Sequence, residues 1–386
     1  MILFRGARVW APDDLGVCDL LVAGDTIAAV ARDLPLPPVG WPCEVVDAAG
    51  LWLLPGLIDA HTHLGGGGGE GGAETRVPPV ALTQLTLAGV TTAVGLLGTD
   101  GTTRSLADLL AVARGLSALG VDAYCYTGSY EVPPVTLTGS VRGDIVHLDR
   151  VVAAGEVAIS DHRSSQPTFD ELVRIAADCH VAGLMTRKAG LLHLHLGDGP
   201  RGLALVRRAL DETELPPRVF HPTHVNRNPR LWDEALAISD RGVPIDITAF
   251  PDDDDDPAVP AATALAAYFT AGKDPRRVTL SSDGGGCLPT FDAAGNLLKM
   301  DVGSSGTLLP TLRRAIAAGT PTPLAIAAAT ANVADLFRFA RKGRLVVGAQ
   351  ADLLLVDPAL AVSSVVARGR FLVREGRAVA RGLFGA

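Results

Sequence analysis

Short apolar segments alternate with longer amphipathic segments from about residue 51 onward. The apolar segments have the length of β-strands and the intervening segments have helical periodicity, which is the pattern of parallel βα units. Eight such strands predict an α/β protein with a (β/α)8 TIM-like barrel rather than an open sheet. The predicted strands are residues 51–63, 89–98, 121–130, 156–161, 190–197, 217–225, 243–250 and 277–284.

Both ends of the chain have a different pattern. Residues 1–50 and 343–386 contain short strand-like segments separated by turns, and neither end is able to bury a core alone. We therefore predict two domains. The first is the barrel over residues 51–342, and the second is a small β-sandwich domain that 1–50 and 343–386 build together.

Length and hydropathy limit the class of protein. The chain has 386 residues, more than one hydrophobic core usually contains. Its mean hydropathy of +0.28 is high, but no apolar run is long enough to cross a membrane. The first residues lack the basic, apolar and small-residue segments of a signal peptide. We expect neither a membrane protein nor a secreted one.

Charge and cysteine content narrow the class further. The net charge is −8, from 42 acidic and 34 basic residues, and the basic residues form no cluster, so we expect no nucleic-acid partner. The five cysteines are scattered and contain no CxxC motif, which disfavours a disulfide framework and a thiolate zinc site. We expect a reduced, cytoplasmic protein.

Histidines and one aspartate follow the predicted strands. His61 and His63 end the first strand, and residues i and i+2 of a strand point to the same face, so both imidazoles reach one cation. Taken alone, such a pair is more often explained by core or surface histidines. Further histidines and one aspartate favour a metal site, because they also lie at the carboxyl ends of predicted strands, where active sites of this architecture are built. They are His193, His195, His221, His224 and Asp283. They predict a site for zinc or a similar divalent ion.

These residues resemble the amidohydrolase superfamily, in which the first strand supplies HxH, the fifth and sixth one His each, and the eighth an Asp. Within it, the chain resembles the isoaspartyl (β-aspartyl) dipeptidase family along essentially its whole length. The motifs that carry this resemblance are GLIDAHTHLGGGGGEGG, GLLGTD, TGSY, AISDHRS, LHLGD, PTHVNRN and LSSDG. The glycine-rich motif together with SDHRS and THVNRN is far more specific than HxH.

The resemblance implies a metal centre and a set of catalytic residues. The implied ligands are His61, His63, His195, His224 and Asp283. A hydroxide activated by the metal would attack the peptide carbonyl, with Asp283 as general base and acid and Tyr130 as hydrogen-bond donor to the oxyanion. We interpret His193 as a core residue or a support for a ligand. We give His221, His147, His162 and His180 structural roles, and only His162 lies near enough to the site to support it.

The resemblance also implies a small zwitterionic dipeptide as substrate. Glu70, in the glycine-rich loop, would hold its free α-amino group, and Arg163 and Arg227 would bind the carboxylate of the leaving residue. Gly68 and Thr99 resemble further substrate contacts. A phosphate-binding loop is the rival reading of residues 65–69, but no Lys-Ser or Lys-Thr follows it.

Two positions depart from the family pattern. The fourth strand usually supplies a carboxylated lysine that bridges two metal ions, and here that column holds Glu156. We predict that Glu156 bridges two Zn²⁺ ions; the alternatives are one ion with Glu156 beside it, and a shifted alignment. A serine expected after the strand-eight Asp is replaced by Cys287, a weaker donor, which puts the binding of the aspartyl α-carboxylate in doubt.

Other readings remain open. Another amidohydrolase, such as an N-acyl amino acid deacylase or a cyclic-amide hydrolase, is the alternative enzyme, and a metal-free, hydantoinase-like assembly protein is the non-enzyme alternative. Glu70 discriminates between the enzymes, because an acylated amine has no positive charge for it to pair with. We assign the run of aspartates at 252–256 to a solvated loop. The family resemblance implies a homo-oligomer.

Overall fold

The structure is a computed structural model and describes residues 1–251, 257–292 and 296–382. The aspartate run at 252–256 lies outside the described residues. The strands are β1 Ile2–Trp10, β2 Asp14–Ala23, β3 Thr26–Ala31, β4 Glu44–Asp47, β5 Trp52–Pro55, β6 Leu57–Thr62, β7 Val90–Gly95, β8 Asp122–Thr127, β9 Val151–Ile159, β10 Leu192–Leu196, β11 Phe220–Thr223, β12 Ile245–Thr248, β13 Val278–Ser281, β14 Cys287–Phe291, β15 Leu297–Val302, β16 Leu353–Val356, β17 Val362–Ala367, β18 Arg370–Arg374 and β19 Arg377–Ala378. The α-helices are α1 Leu82–Leu87, α2 Leu106–Leu119, α3 Val141–His147, α4 Phe169–Thr186, α5 Ala204–Glu212, α6 Pro229–Asp240, α7 Ala261–Thr270, α8 Leu308–Ala317, α9 Thr322–Ala328 and α10 Ala331–Phe337.

Strands β6 to β13 form the parallel part of the fold. Strands β6 to β11 pair in sequence order as one six-stranded parallel sheet, and β12 pairs with β13 in a second parallel sheet. The two sheets meet on both sides, because β11 contacts β12, β13 contacts β6, and Thr62 forms a parallel bridge with Gly284. The predicted parallel βα arrangement is confirmed. The side chains of β6 and β9 are buried along their whole length, as in parallel strands covered on both faces.

The observed strands are mostly shorter than predicted, and two predicted strands differ in more than their end residues. The segment 51–63 forms two strands, since β5 pairs with β1 and β16 while β6 pairs with β7. Gly56 separates them where the chain passes very close to Thr91, at a distance that leaves no room for a Cβ atom. The fourth strand begins at Val151 rather than at residue 156.

The helices between the strands start at polar capping residues. The hydroxyl of Thr168 accepts a hydrogen bond from the backbone N–H of Glu171, and the Glu171 carboxylate accepts one in return from the backbone of Thr168, which forms a capping box for α4. Ser105 and Asn228 cap α2 and α6 in the same sense. Each helix buries one apolar face, as Leu172, Ile175, Ala176 and Cys179 do in α4.

Strands from both ends of the chain form one mixed sheet. Its order is β19-β18-β17-β16-β5-β1-β2-β3, and β4 pairs with residues 2–5 of β1, beside the residues that pair with β5. The apolar residues of one face pack into a single cluster, although they come from strands as far apart in this order as β3 and β17. Strands from both ends of the chain therefore lie in one sheet, and the division into two domains with a β-sandwich stays a prediction.

Lys342 connects the mixed sheet formed by strands from both ends of the chain, here called the terminal sheet, to the parallel sheet of β6 to β11. Its Nζ lies 2.7 Å from Asp122 at the start of β8 and 2.7 Å from Asp352 just before β16. Burial opposes the charge of Lys342, but the two carboxylates raise its pKa above the ordinary value. Asp122 is buried as well, and Lys342 lowers its pKa. The ammonium group thus compensates two buried carboxylates at the junction of the two sheets.

Among the described residues, no helix combines the length and the apolar character that crossing a bilayer requires.

Candidate metal centre and substrate pocket

The six residues predicted as metal ligands lie together at one end of the parallel strands. His61 belongs to β6 and His63 follows it, Glu156 belongs to β9, and His195 belongs to β10. His224 follows β11 and Asp283 follows β13. All six side chains are buried. Because carboxyl ends of neighbouring parallel strands lie side by side, residues more than 200 positions apart in the chain meet here.

The first part of the centre contains His61, His63 and Asp283. Oδ1 of Asp283 lies 3.4 Å from Nε2 of His61 and 3.1 Å from Nε2 of His63. Two atoms bonded to one tetrahedral zinc ion lie about 3.3 Å apart, given bonds of about 2.0–2.1 Å. The observed separations therefore suit shared coordination of one ion.

Glu156 lies between this group and the remaining histidines. Its Oε1 is 3.6 Å from Nε2 of His63, whereas its Oε2 is 3.1 Å from Nδ1 of His195 and 3.6 Å from Nε2 of His224. Oε2 also lies 3.5 Å from Nε2 of His61. Glu156 is thus a member of two of the three ligand groups that the geometry defines: His61, His63, Glu156; His61, His224, Asp283; and Glu156, His195, His224.

Two orphaned atoms show that this donor set fits a cation. Nε2 of His61 and Oδ1 of Asp283 are buried and have no hydrogen-bond partner. Buried polar atoms without a partner are costly, unless an ion completes their coordination. Imidazole nitrogens and carboxylate oxygens are also the donors that zinc and related divalent metals prefer.

The electrostatics of the centre favour positive charge. Burial opposes ionisation of Glu156, but the imidazoles of His61, His195 and His224 hold its pKa well below the usual value. Burial likewise opposes the charge of Asp283, and His61 and His63 lower its pKa. Burial lowers the pKa of His224 to about 3, which leaves its imidazole neutral at physiological pH, as a metal ligand requires.

A bulge in β9 accounts for the reach of Glu156. Ala154 pairs with Leu192 and Val157 pairs with Leu194, so β9 has one extra residue against β10 at this point. Gly155 lies in the bulge with φ +145°, and a Cβ atom there would approach the carbonyl oxygen of His193 to 2.6 Å. The absent side chain lets the backbone of β9 approach β10. Glu156 follows directly, and its two oxygens lie 3.6 Å from Nε2 of His63 and 3.1 Å from Nδ1 of His195.

Tyr130 and Arg163 lie beside His195 of the centre. The Tyr130 hydroxyl is 2.7 Å from Nδ1 of His195, and the Arg163 guanidinium lies over the Tyr130 ring at 5.5 Å. Burial and the nearby Glu156 raise the pKa of Tyr130 well above its usual value, so the hydroxyl keeps its proton. Tyr130 is therefore suited to donate a hydrogen bond.

Glu70 lies near the same arginine. Its Oε1 accepts a hydrogen bond of 2.9 Å from the Thr99 hydroxyl and lies 3.4 Å from Nη1 of Arg163. Its Oε2 is buried and has no hydrogen-bond partner. One carboxylate oxygen is therefore held by the protein, and the other is available to a donor group of a ligand.

The glycine-rich loop places Gly68 against Cys287. Gly68 has φ +78°, and a Cβ atom built on it would lie 2.5 Å from the carbonyl oxygen of Thr75 and 3.5 Å from Cβ of Cys287. Only glycine adopts this conformation in so little space. The Cys287 thiol is free and half-buried.

Arg227 lies at the rim above β11. Its Nε donates a hydrogen bond of 3.0 Å to the carbonyl oxygen of Leu196, and its guanidinium lies 5.6 Å from the centre of the Phe250 ring. The side chain is half-buried. The structure thus places Arg227 at the mouth of the site rather than among the ligands.

Comparison with known proteins gives the family. The sequence model of the amidohydrolase family matches residues 52–372. The chain belongs to the amidohydrolase family. The resemblance predicted from the motifs is confirmed at this level.

Two solved structures are similar over the whole chain. A β-aspartyl dipeptidase from Fervidobacterium islandicum AW-1, crystallised in complex with β-Asp-Leu dipeptide, is 40% identical, with a TM-score of 0.94 over 99% of this chain and 98% of that one. A second structure of β-aspartyl dipeptidase from the same organism is 38% identical, with a TM-score of 0.91 over 99% of both chains. The predicted resemblance to β-aspartyl dipeptidases is therefore confirmed as well.

Other amidohydrolases are more distant. The dihydropyrimidinase of Brevibacillus agri shares the fold, with a TM-score of 0.67 at 19% identity over 98% of this chain and 96% of that one. The dihydroorotase of Pelobacter propionicus is 32% identical over 163 residues, 42% of this chain. That alignment spans only 35% of the dihydroorotase.

Sequence reasoning missed one carboxylate of this amidohydrolase site. Asp161 accepts hydrogen bonds from Nε and Nη2 of Arg163, and its Oδ2 lies 3.0 Å from Nε2 of His195. Burial opposes its charge, but His195 and Arg163 lower its pKa. Asp161 therefore holds the candidate ligand His195 and the Arg163 guanidinium in place together. It stands in the SDHRS motif, directly before the histidine and arginine that the motif drew attention to.

The remaining histidines of the amidohydrolase chain fall into two groups. His193 and His221 are fully buried below the centre, and Nε2 of His193 lies 2.8 Å from Nδ1 of His61. His147 and His162 are exposed, and His180 lies 3.4 Å from Arg218 on the outer side of the fold. The structure therefore brings His193 and His221 into contact with the site, but not His147 or His180.

Proposed function

We propose that this amidohydrolase hydrolyses β-aspartyl (isoaspartyl) dipeptides. The observation that carries the proposal is its likeness, at 40% identity over 99% of the chain, to a β-aspartyl dipeptidase whose structure contains β-Asp-Leu. The site agrees with such a substrate, because an anionic Glu70 and cationic Arg163 lie next to the candidate metal centre. A zwitterionic dipeptide offers an ammonium group and a carboxylate to these two side chains.

We propose two Zn²⁺ ions per chain, with Glu156 as the bridging ligand in place of a carboxylated lysine. His61, His63 and Asp283 would hold one ion, and His195 and His224 the other. The separate directions of the two Glu156 oxygens support the bridge. When bound, such ions lower the pKa of water and polarise the scissile carbonyl.

Asp283 would transfer the proton during the reaction, and Tyr130 would stabilise the negative charge that develops on the oxyanion. Asp283 is ionised and lies next to His61 and His63, so it can take a proton from the attacking water and pass it to the leaving amine. The Tyr130 hydroxyl, whose raised pKa keeps it protonated, would donate a hydrogen bond to the developing oxyanion.

The remaining residues would bind the substrate ends. Glu70 would accept the free α-amino group on its unpartnered Oε2, with Thr99 holding the other oxygen. Arg163 and Arg227 would pair with the carboxylate of the leaving residue, since guanidinium groups bind carboxylates through parallel hydrogen bonds. Gly68 and Cys287 would border the aspartyl α-carboxylate, where a thiol donates more weakly than the expected serine.

We also propose that strands β6 to β13 close into a complete (β/α)8 barrel and that the terminal sheet folds over into a β-sandwich. Contact of β11 with β12, and the bridge from Thr62 to Gly284, support closure on both sides. The antiparallel bridge of Thr26 in β3 with Gln350, just before β16, supports the sandwich, since three strands separate β3 from β16 in the sheet order and a flat sheet would keep them apart.

The substrate test compares four compounds on zinc-loaded protein. We expect cleavage of β-Asp-Leu to aspartate and leucine, and no cleavage of α-Asp-Leu, an N-acetyl amino acid or the cyclic amide hydantoin. Preferred cleavage of the N-acetyl amino acid or of hydantoin would instead support a deacylase or a cyclic-amide hydrolase.

Glu70→Gln tests the recognition of the amino group. We expect kcat/KM for β-Asp-Leu to fall about 10- to 100-fold, because a hydrogen bond to a charged group contributes about 1.5–3 kcal/mol. Bound metal, measured by elemental analysis, should stay unchanged. Wild-type kcat/KM in this variant would show that Glu70 does not bind the substrate ammonium group.

A further inference from the structure

Two of the candidate ligands turn their second ring nitrogen into the interior below the centre. His61 and His224 both direct Nε2 at the carboxylates of the centre. Nδ1 of His61 lies 2.8 Å from Nε2 of His193, and Nδ1 of His224 lies 2.8 Å from the hydroxyl of Thr248. What these two partners contact in turn determines which nitrogen of each ligand carries the proton.

The first chain of contacts starts at His61. Nδ1 of His193 lies 3.0 Å from Nδ1 of His221, and Nε2 of His221 lies 3.0 Å from the Thr279 hydroxyl. The Thr279 hydroxyl donates to Oδ1 of Asp246 over 2.5 Å. Three side chains thus connect His61 to a carboxylate in the interior of the parallel strands.

The second chain starts at His224 and ends on the same carboxylate. The Thr248 hydroxyl lies 3.4 Å from the Thr223 hydroxyl, which donates to Oδ2 of Asp246 over 2.7 Å. Ser281 donates a further hydrogen bond to Oδ2 over 2.5 Å. Asp246 is fully buried, and among the described residues no lysine or arginine forms an ion pair with it. Burial raises the pKa of Asp246, and the hydrogen bonds from the hydroxyls of Ser281, Thr279 and Thr223 counter that rise.

The number of hydrogens on each group determines which group donates in each contact between His61 and Asp246. A carboxylate only accepts, and each hydroxyl has one hydrogen, so Thr279 uses its hydrogen on Asp246 and must accept from Nε2–H of His221. Burial lowers the pKa of His221 to about 3, so this ring is neutral and its Nδ1 accepts. Nδ1–H of His193 then donates to His221, and Nε2 of His193 accepts from Nδ1–H of His61.

In the hydrogen-bond chain from His224 to Asp246, the single hydrogen of each hydroxyl again determines which group donates. Thr223 uses its only hydrogen on Asp246, so the Thr248 hydroxyl donates to Thr223 and accepts from Nδ1–H of His224. Both ligand rings are thereby protonated on Nδ1. Nε2 of each ring faces a carboxylate of the centre.

We propose that Asp246 is a positioning residue that holds His61 and His224 in the Nδ1–H tautomer through these two hydrogen-bond chains. It acts on two parts of the centre, because Asp283 lies near His61 and His63, whereas Oε2 of Glu156 lies near His195 and His224. The inference rests on the proposed metal centre. Removing such indirect support of a ligand typically lowers metal affinity about 10- to 100-fold.

The test measures zinc affinity by competition with a chelator and the histidine tautomers by ¹⁵N NMR of the zinc-loaded protein. In the wild type, we expect His61 and His224 to carry the proton on Nδ1. In Asp246→Asn, we expect both zinc ions to bind about tenfold more weakly or worse. Wild-type affinity in a folded Asp246→Asn protein, or Nε2–H tautomers in the wild type, would overturn the proposal.

Matched variants test each of the two hydrogen-bond chains separately. They also test the proposal if the Asp246→Asn protein does not fold. His193→Leu should weaken the ion on the His61 side, while His193→Gln, which accepts and donates in the same directions, should restore it. Thr248→Val should weaken the ion on the His224 side, and Thr248→Ser should restore it. Equal zinc affinity within each pair would overturn the proposal.

The controls separate this inference from the proposed function. A wild-type protein that binds no zinc contradicts the metal centre and the inference together. A wild-type protein that binds zinc and shows the Nδ1–H tautomers, but does not cleave β-Asp-Leu, contradicts the substrate assignment and supports the role of Asp246.

Discussion

At the scale of single residues, the position of Glu156 has the largest consequence for the chemistry. Its two oxygens face different imidazoles, and all surrounding ligand side chains are buried. A carboxylate has the same charge and the same pair of oxygen donors as a lysine carbamate. Unlike the carbamate, it forms without carbon dioxide, so the proposed two-metal centre would assemble from protein and metal alone.

Glu156→Ala tests this bridge. We expect bound metal, measured by elemental analysis, to fall from about two ions per chain to about one or fewer, because the shared ligand is lost. Glu212→Ala, in an exposed ion pair on α5, is the control and should keep the wild-type content. Activity of metal-free wild-type protein should return on adding zinc without bicarbonate. Unchanged stoichiometry in Glu156→Ala, or a requirement for bicarbonate, would contradict the bridge.

At the scale of elements, strand β9 combines a structural and a functional constraint. Its bulge turns Glu156 toward the centre, and the space that the bulge needs exists because residue 155 is glycine. The backbone of β9 thus determines where the side chain of the next residue lies.

Gly155→Ala should therefore lower both stability and metal content. The added Cβ would approach the carbonyl oxygen of His193 to 2.6 Å at a φ of +145°, so the strand must shift. We expect a loss of several kcal/mol in the free energy of unfolding, measured by urea denaturation. Gly115→Ala is the matched control, since Gly115 is exposed in α2 with open space around it, and it should stabilise the protein by about 0.5–1 kcal/mol. Equal effects of the two substitutions would contradict the role of Gly155.

At the scale of the whole molecule, one buried ammonium group joins the two parts of the fold. Lys342 pairs with Asp122 of the parallel sheet and with Asp352 next to the terminal sheet. Breaking a buried ion pair from one side leaves uncompensated charge, and here two carboxylates would lose their partner.

Lys342→Met should lower the free energy of unfolding by about 3–5 kcal/mol at neutral pH. Lys273→Met, which breaks an ion pair with the exposed Asp240, should cost about 0–1 kcal/mol. Because the pKa of Asp122 is lowered by Lys342, its share of the stability is present above the ordinary aspartate pKa and is lost as the pH falls below it. Chemical denaturation at neutral and acidic pH measures both effects. Equal cost of the two substitutions would refute the structural role of Lys342.

Much of the fold was predictable because of how parallel strands are buried. Strands covered on both faces are continuous apolar segments, and these mark β6 to β13 in the sequence. The division of 51–63 into β5 and β6 was not predictable, since both halves are apolar. Only the pairing partners, β16 for one and β7 for the other, separate them.

The sequence by itself determined the chemical groups of the candidate site, because histidines and carboxylates at strand ends are visible as a local pattern. The reach of Glu156 depends on a bulge against β10, and the contact of Asp161 with His195 joins two different strands. The connection of Asp246 to His61 passes through three further side chains on separate strands. Such contacts are distances between residues far apart in the chain, and only the tertiary structure, by packing the strands side by side, decided them.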